Sequence, residues 1–575
     1  MKRARDFQSS LRNERTLGAA NYGLKAAATI NSRSATVRPM FVSLRSRSAA
    51  RNTPRRMSQM LKSSGATAIA TMLSRVLGLV REMAYANFMG VSWVAGAFAY
   101  AFQIPNLFRR LLGEGALTAA FIPIFKQKEK ADGQEAMWQA ANAVISGLLV
   151  AASIIVVLAI VIISLVLGVV RIDEASTILM LRLLRVMFPY LIFVCFAAVC
   201  MGMLNARGHF FVPALGAALL NVAMIASVYF IAPLMGTELH EKIFGLAIGV
   251  LVAGFAQAAF QMPLLYREGF HYRWVRPWTD PTVRAVIQRM LPATIGVAVF
   301  QINVMIASGF AFAVGPEIVA AFGVAVRLME LPQGVFGISL ATYILPTLSG
   351  LAAEKKYPEF RATLRDGIAY LLFINLLATV LLIVLGEPMI RLLFEHGKFD
   401  AVATARTTRA LVALAPGLIA FSCVNIFARA FYALGDTKTP MKISVFCLVL
   451  NAALTLPLVW FMKEAGLGIA NTATSFVNIF LLTFALRKKL GRLDMQSLRH
   501  HIGALLLCAA GAALGAWFVR AWWEWSIGHQ TFWSKVGEVF VSMLCAAVIY
   551  FAVAWAMRVP VANDFLKLVR RRAGV

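Results

Sequence analysis

The chain has 575 residues, of which 60% are hydrophobic and only 14% are charged. A soluble domain is about 45–50% apolar and about 25% charged, so this composition excludes a soluble enzyme and a disordered protein. The apolar residues form long continuous stretches and do not alternate with polar ones. That pattern is typical of membrane-spanning helices and not of a membrane β-barrel. We therefore expect an all-α integral membrane protein.

The formal net charge of +29 has two main locations. Part of the excess lies in residues 1–62, and most of the rest lies in short loops between the apolar stretches. Basic loops of this kind face the cytoplasm in membrane proteins. The charge therefore indicates the orientation of the chain in a membrane, and we expect no nucleic-acid partner.

Residues 1–60 form a basic N-terminal extension that is rich in Arg and Ser. Three interpretations stay open. In the first, translation starts at Met57 or Met60. In the second, the extension is an organellar transit peptide. In the third, it is a basic arm that contacts anionic lipid. A cleaved secretory signal is not expected, because the stretch has no apolar central region.

From residue 65 onward, 14 apolar segments are long enough to cross about 30 Å of hydrocarbon. They cover residues 65–88, 91–112, 138–170, 178–206, 211–234, 243–266, 288–314, 318–349, 364–386, 402–432, 440–462, 465–486, 501–519 and 536–557. Placing residue 62 in the cytoplasm puts most basic loops there as well, which predicts that both termini are cytoplasmic.

The chain also contains an internal repeat. Three pairs of prolines are each separated by 227 residues, namely Pro105 and Pro332, Pro189 and Pro416, and Pro213 and Pro440. Each copy would hold six spans, as in transporters built from parallel repeats. We predict pseudo-symmetric six-helix bundles at residues 61–270 and 271–490, followed at 491–575 by two additional helices and a basic cytoplasmic tail.

A transporter of this architecture binds its substrate between the two halves, near the middle of the membrane. A charged side chain at the centre of a span costs about 2.5–3.5 kcal/mol, so each one needs a function or a partner. The candidate site residues among the charged residues within or next to the predicted spans are Arg75, Arg81, Glu82, Arg109, Arg110, Glu114, Arg327 and Glu330. Guanidinium groups favour an anion with forked oxygens, such as a phosphate or diphosphate.

Structural alternatives stay open for these arginines. Arg75 pairs with Glu82 or extends toward the membrane surface, Arg109 and Arg110 mark the cytoplasmic end of a span, and Arg327 pairs with Glu330. The six cysteines lie inside apolar stretches, and the chain has no nucleotide, metal-protease or other catalytic motif. We expect no catalytic residues, no metal site and no cofactor.

Five sequence blocks, in order, resemble the MurJ (MviN) family of lipid II flippases in the multidrug/oligosaccharidyl-lipid/polysaccharide (MOP) exporter superfamily. They are Ser74-Arg75-Val-Leu-Gly78 with Arg81-Glu82, Pro105-Asn106-Leu-Phe-Arg109-Arg110 with Glu114-Gly115-Ala116, Arg327-Leu-Met-Glu330-Leu-Pro332, Gly397-Lys398-Phe399, and Phe431-Tyr432-Ala-Leu-Gly435-Asp436-Thr437-Lys438-Thr439-Pro440. The resemblance extends from about residue 57 to residue 560.

This resemblance implies a function in peptidoglycan synthesis and cell shape. Lipid II, an undecaprenyl-diphosphate-linked disaccharide-pentapeptide, would be flipped from the inner to the outer leaflet of the bacterial inner membrane. The resemblance also implies a diphosphate site at Arg75, Arg81, Arg109 and Arg327, with Ser74, Glu82, Arg110, Glu114 and Glu330 as supporting cavity residues. The last two spans would hold the polyprenyl tail, and membrane lipids and cell-wall synthesis proteins are the other expected partners.

Departures from the family pattern leave the coupling ion open. Many relatives have an Asp where this chain has Gly96 and an acidic residue where it has Val326, and the predicted span 288–314 contains no acidic residue. We expect the membrane potential to contribute to transport. A flippase for another polyprenyl-diphosphate-linked glycan remains the alternative function, ahead of a multidrug antiporter.

Overall fold

The computed structural model describes residues 70, 72–113, 116–491 and 496–562. All regular secondary structure in these residues is helical, and they contain no β-strand. The predicted all-α membrane fold is confirmed. The predicted extension at residues 1–60, the C-terminal tail beyond residue 562 and the candidate residue Glu114 lie outside the described residues.

The first half of the described chain contains helices α1 to α7. They are α1 (72–89), α2 (Trp93–Phe108), α3 (Ala116–Val169), α4 (Ala175–Met187), α5 (Tyr190–Ala206), α6 (Phe211–Ala226) and α7 (Leu239–Arg267). A π-helical turn, Arg109–Gly113, continues α2. Helix α3 is interrupted at Gly133, which separates the predicted third span from a preceding segment.

The second half begins at α8 and ends with the break-containing helix α15. Its helices are α8 (Pro281–Val314), α9 (Pro316–Pro332), α10 (Ser339–Ala353), α11 (Tyr357–Val384), α12 (Gly386–Phe394), α13 (Ala401–Leu414), α14 (Gly417–Ala433) and α15 (Lys438–Leu490). A π-helical turn, Gln333–Ile338, joins α9 to α10. Two further helices, α16 (Gln496–Ser526) and α17 (Phe532–Ala556), complete the described chain.

Seven helices of the described chain are long and apolar enough to cross a membrane, and counting each of two bent pairs as one span brings the number to nine. One of the seven, α15, has 53 residues and is broken at Lys463, so its two arms cover two predicted spans. Each predicted span coincides with helix over most of its described length. The count of 14 stays a prediction.

The three proline pairs occupy equivalent places in the two halves. Pro189 separates α4 from α5, and Pro416 separates α13 from α14; the two bends are 44° and 43°. Pro105 and Pro332 both precede a π-helical turn, and Pro213 and Pro440 are both the third residue of their helix. Because proline removes a backbone donor and bends a helix, matching prolines give the two halves matching shapes. The predicted pseudo-symmetry of the two bundles is confirmed at these places.

An ion pair in each half connects the turn after the fourth predicted span to the end of the sixth. Arg207 Nε donates to Glu268 Oε2 at 2.8 Å, and Lys489 pairs with Asp436. The signs are reversed between the halves. The hydrogen bonds from His209 and Arg207 lower the pKa of Glu268, and the one from Lys489 lowers the pKa of Asp436. The stabilisation is therefore complete at neutral pH and is lost as pH falls through these depressed pKa values.

The last two helices, α16 and α17, are attached to the second half. Tyr550 of α17 donates its hydroxyl to the Phe373 carbonyl of α11 at 2.7 Å, with both residues buried. Arg520 of α16 pairs with Glu387 of α12 at 2.6 Å. The two extra spans predicted outside the repeat therefore pack against the second bundle.

The alternation of spans predicts which loops face the cytoplasm. Reporter fusions at Lys130, Lys355 and Leu490 should report a cytoplasmic location, because these loops belong to the basic set that is retained inside. Fusions at Thr237 and Ile527 should report the outside. A fusion at Leu490 that reports the outside would contradict the 14-span topology.

Candidate functional site

Four charged residues form a cluster between the two halves, which we call the arginine cluster: Arg81 and Glu82 of α1, and Arg327 and Glu330 of α9. Glu82 Oε1 accepts a hydrogen bond from Arg81 and lies 3.4 Å from Arg327 Nε. Arg327 Nη1 donates to Glu330 Oε2 at 2.8 Å. The sequence-based alternative of an Arg327–Glu330 pair is therefore present, but Arg327 also reaches Glu82 in the other half.

Arg81 is held by a buried asparagine. Its Nη1 donates to Asn221 Oδ1 at 3.0 Å, and Asn221 Nδ2 donates to the Ser74 carbonyl at 3.0 Å. The guanidinium also lies over the Tyr85 ring, 5.6 Å from its centroid, where a cation–π attraction adds to its orientation. Ser74 contributes its backbone here, and Asn221 is the residue that sequence reasoning did not assign to the site.

Arg81 Nε is buried and has no hydrogen-bond partner among the described residues. An unsatisfied buried donor costs about 1–3 kcal/mol, and more when it belongs to a charged group. A ligand oxygen at this position would remove the cost. Arg81 Nε is therefore a donor of the cluster that the described residues leave unused.

Arg75 contacts the second half at a different place. A Cβ added to Gly334 would lie 2.7 Å from Arg75 Nη1, so the guanidinium lies against the π-helical turn that follows α9. The sequence left open a pairing of Arg75 with Glu82. In the structure, the ion pairs of Glu82 are instead with Arg81 and Arg327.

The adjacent arginines at the end of α2 point in different directions. Arg109 Nε donates to Asn106 Oδ1 at 2.7 Å, within the first half. Arg110 Nη1 donates to Gln301 Oε1 of α8 at 3.3 Å. Arg110 was expected at the cytoplasmic end of its span, and in the structure it contacts the first long helix of the second half.

The second half has an uncharged counterpart of the Asn221 contact. Asn451 of α15 is 2% exposed and donates to Asn303 of α8 at 3.2 Å. In both halves, an asparagine of the fifth predicted span thus contacts the first helix. The recurring Leu220-Asn221 and Leu450-Asn451 after matched prolines were the sequence signal for this feature. The partner is an arginine in the first half and an amide in the second.

The two halves also touch at the loop end of α1. A Cβ on Gly96 would lie 2.0 Å from the Pro316 carbonyl oxygen, and a Cβ on Gly90, whose φ is +55°, would lie 2.2 Å from the Lys398 carbonyl oxygen. Lys398 also donates its backbone amide to the Asn87 carbonyl at 3.1 Å. Backbone contact this close tolerates only glycine, so these residues seal one end of the interface between the halves.

Proteins of known family resemble this chain in sequence. A family profile described as "Lipid II flippase MurJ" matches residues 85–535. The chain is 33% identical over 444 residues to the probable lipid II flippase MurJ of Vibrio cholerae, covering 74% of this chain and 82% of the relative. It is 31% identical over 496 residues to the lipid II flippase MurJ of Burkholderia cenocepacia, covering 85% and 95%.

Solved structures show the same fold. A lipid II flippase MurJ in an inward closed conformation superposes with a TM-score of 0.69 at 22% identity, covering 87% of this chain and 99% of the other. An inward-facing multidrug resistance MATE family transporter of the MOP superfamily superposes with a TM-score of 0.60 at 17% identity, covering 75% and 99%.

The position of Asn221 predicts a specific defect. Asn221→Ala should reduce lipid transport while the protein still reaches the membrane, because Arg81 loses a hydrogen bond of a charged group, worth about 1.5–3 kcal/mol. Complementation of a depleted strain and membrane abundance are the measurements. Asn451→Ala is the matched control and should leave Arg81 in place. Equal loss of transport in both variants would mean that Asn221 only supports packing.

Proposed function

The chain belongs to the MurJ family of lipid II flippases, and on this basis we propose that its arginine cluster binds the diphosphate of lipid II between the two halves. The protein flips lipid II and is a transporter, not an enzyme. We propose that the lipid moves from the inner to the outer leaflet of the plasma membrane by alternating access. Peptidoglycan synthesis is the process that this transport serves.

The observation that carries the proposal is that Glu82 is shared between Arg81 of the first half and Arg327 of the second. A diphosphate presents several oxygens in the geometry that a guanidinium recognises with paired hydrogen bonds. It would replace the Glu82 carboxylate as the common partner of the two arginines. Substrate binding would thereby substitute one contact between the halves for another, and this exchange would couple binding to movement.

The two arginines differ in exposure and in their partners, and the difference fits this exchange. Arg81 is only 15% exposed and is oriented by Asn221 and Tyr85, so it is a fixed part of the site. Arg327 is 46% exposed and forms ion pairs with Glu82 and Glu330. A fixed arginine and an adjustable one would allow the diphosphate to remain bound while the halves rotate.

A flippase for another polyprenyl-diphosphate-linked glycan would use the same guanidinium groups and remains the second candidate. Following the accumulated lipid-linked intermediate after depletion of the protein distinguishes the two. A multidrug antiporter is less consistent with the site, because cationic drugs would be repelled by Arg81, Arg327 and Arg75.

We propose that the protein lies in the bacterial inner membrane, and the basic loops support an orientation with both termini in the cytoplasm. The bilayer lipids surround the apolar helices, and cell-wall synthesis proteins remain proposed partners. No cofactor is proposed. The described residues contain no group of three or more His, Cys, Asp or Glu side chains that could hold a metal ion. The coupling ion stays open.

Replacing Arg75, Arg81 or Arg327 by Ala should abolish lipid II transport in a protein that still inserts, because the diphosphate loses charge-assisted contacts. Lysine keeps the charge but not the fork, so Arg→Lys variants should recover activity partly and unequally. Arg110→Ala should reduce lipid II transport less than these three substitutions do. Lipid II accumulation in the inner leaflet of a depleted strain and membrane abundance are the measurements.

A purely structural role for these arginines makes a different prediction. If Arg327 only neutralises acids, the triple variant Arg327→Ala with Glu82→Gln and Glu330→Gln should recover transport, since no unpaired carboxylate remains. We expect no recovery. Normal transport in stable Ala variants would also contradict the anion site.

Transport should depend on the membrane potential. Lipid II carries negative charge, and the field contributes about 2.3 kcal/mol per charge per 100 mV. An inside-negative potential would favour outward movement of the anion and the return of the empty, positively charged cavity to face the cytoplasm. Dissipating the potential at constant ion gradients should therefore slow turnover. An unchanged rate would contradict this prediction.

A further inference from the structure

A charged cavity, which we call the outer cavity, lies in the second half where α8 ends and α9 begins. Its volume is about 400 Å³, a size that suits a small ligand or one end of a larger one. The charged residues of its walls are Glu317 of α9, Arg406 and Arg409 of α13, and Lys463 and Glu464 at the break in α15. Glu317 precedes Arg327 by ten residues on α9, about 15 Å along the helix, so the cavity is separate from the arginine cluster.

Two of these charges neutralise each other. Arg406 pairs with Glu464, whose side chain is 1% exposed. The turn that carries Lys463 and Glu464 is tight: Lys463 has a φ of +50°, and a Cβ on Gly466 would lie 1.9 Å from the Leu458 carbonyl oxygen. The backbone therefore fixes where Lys463 and Glu464 stand on the wall.

Three charges remain available to a ligand. Arg409 and Lys463 are exposed and make no hydrogen bond or ion pair with another described residue. Glu317, on the wall formed by α9, likewise has no ion-pair partner in the part of the chain that the structure describes. Two cations facing one carboxylate suit a ligand that carries both a carboxylate and an ammonium group. A diphosphate suits the cavity less well, because Glu317 would repel its additional charge.

The cavity also borders the contact between the two halves. Gly315 and Glu317 line it, and Pro316 between them is the residue whose carbonyl packs against Gly96. When the halves separate at this contact, the cavity becomes part of the wall of the opening. In the predicted topology that opening faces outward, which is the side where the headgroup of the lipid is released.

We propose that this cavity binds the peptide of the translocated headgroup, with a peptide carboxylate on Arg409 and Lys463 and a peptide ammonium group on Glu317. The inference rests on the proposed function, since it concerns the same substrate at a later stage of transport. It assigns recognition of the peptide to the second half, whereas the diphosphate is bound between the halves.

The test measures binding of a soluble peptide to the full-length protein in lipid nanodiscs by calorimetry. The probe is an N-acetylated pentapeptide with an internal lysine and a free C-terminal carboxylate. Amidation of the C-terminus should weaken binding at least tenfold, and so should the double variant Arg409→Gln with Lys463→Gln. Arg171→Gln removes an exposed cation from the loop after α3 and is the matched control, expected to bind like the wild type.

A second comparison tests Glu317. Glu317→Gln should weaken binding of the lysine-containing peptide and should have no effect on the same peptide with its lysine acetylated. Thermal unfolding of each variant verifies that the protein is folded. Equal binding of free and amidated peptides, or of wild type and the double variant, would overturn the proposal. So would inorganic phosphate that displaces the peptide at equal concentration, because the cavity would then be a general anion site.

The result of the peptide-binding test does not depend on the arginine cluster. Arg81→Ala should lose lipid II transport and keep peptide binding. Normal transport by Arg81→Ala would contradict the proposed function, whereas normal peptide binding by Arg409→Gln with Lys463→Gln would contradict only the inference about the outer cavity.

Discussion

The ion pairing of Glu82 with two arginines is the interaction on which the arrangement of this site depends. A guanidinium in a membrane span is costly unless it is paired, and Arg81 and Arg327 satisfy this requirement with one carboxylate. Because the two arginines belong to different halves, the pairing also connects the halves. A substrate anion that takes the place of Glu82 would therefore act on the contact that any rotation of the halves has to change.

The two halves share a scaffold and differ in chemistry. Matched prolines bend the same helices by nearly the same angle, and in each half a buried asparagine contacts the first helix. In the first half Asn221 holds an arginine, and in the second Asn451 holds an amide. A repeat of this kind provides a symmetric frame for movement while the charged site stays asymmetric. The ion pairs Arg207–Glu268 and Asp436–Lys489 show the same relation, since they occupy matching places in the two halves and the positions of their acidic and basic residues are exchanged.

The two charged sites lie at different depths along α9. The arginine cluster is in the second part of that helix, and the outer cavity is at its beginning. The sealed contact of Gly96 with Pro316 lies beside the cavity. If both proposals hold, a substrate with an anionic diphosphate and a zwitterionic peptide would meet a separate site for each part.

The sequence alone determined the all-α membrane class, the two-fold repeat and the arginines, because hydrophobic length, proline spacing and charge in an apolar span are local properties of the chain. It did not determine the partners of those arginines. Arg75 and Glu82 are seven residues apart and share a helix face, yet Glu82 pairs with Arg81 beside it and with Arg327 in the other half. Asn221, Gln301 and the cavity around Arg409 likewise acquired their roles from helices distant in sequence. Only tertiary packing decides such contacts, because the placement of the helices determines which side chains lie close enough to interact.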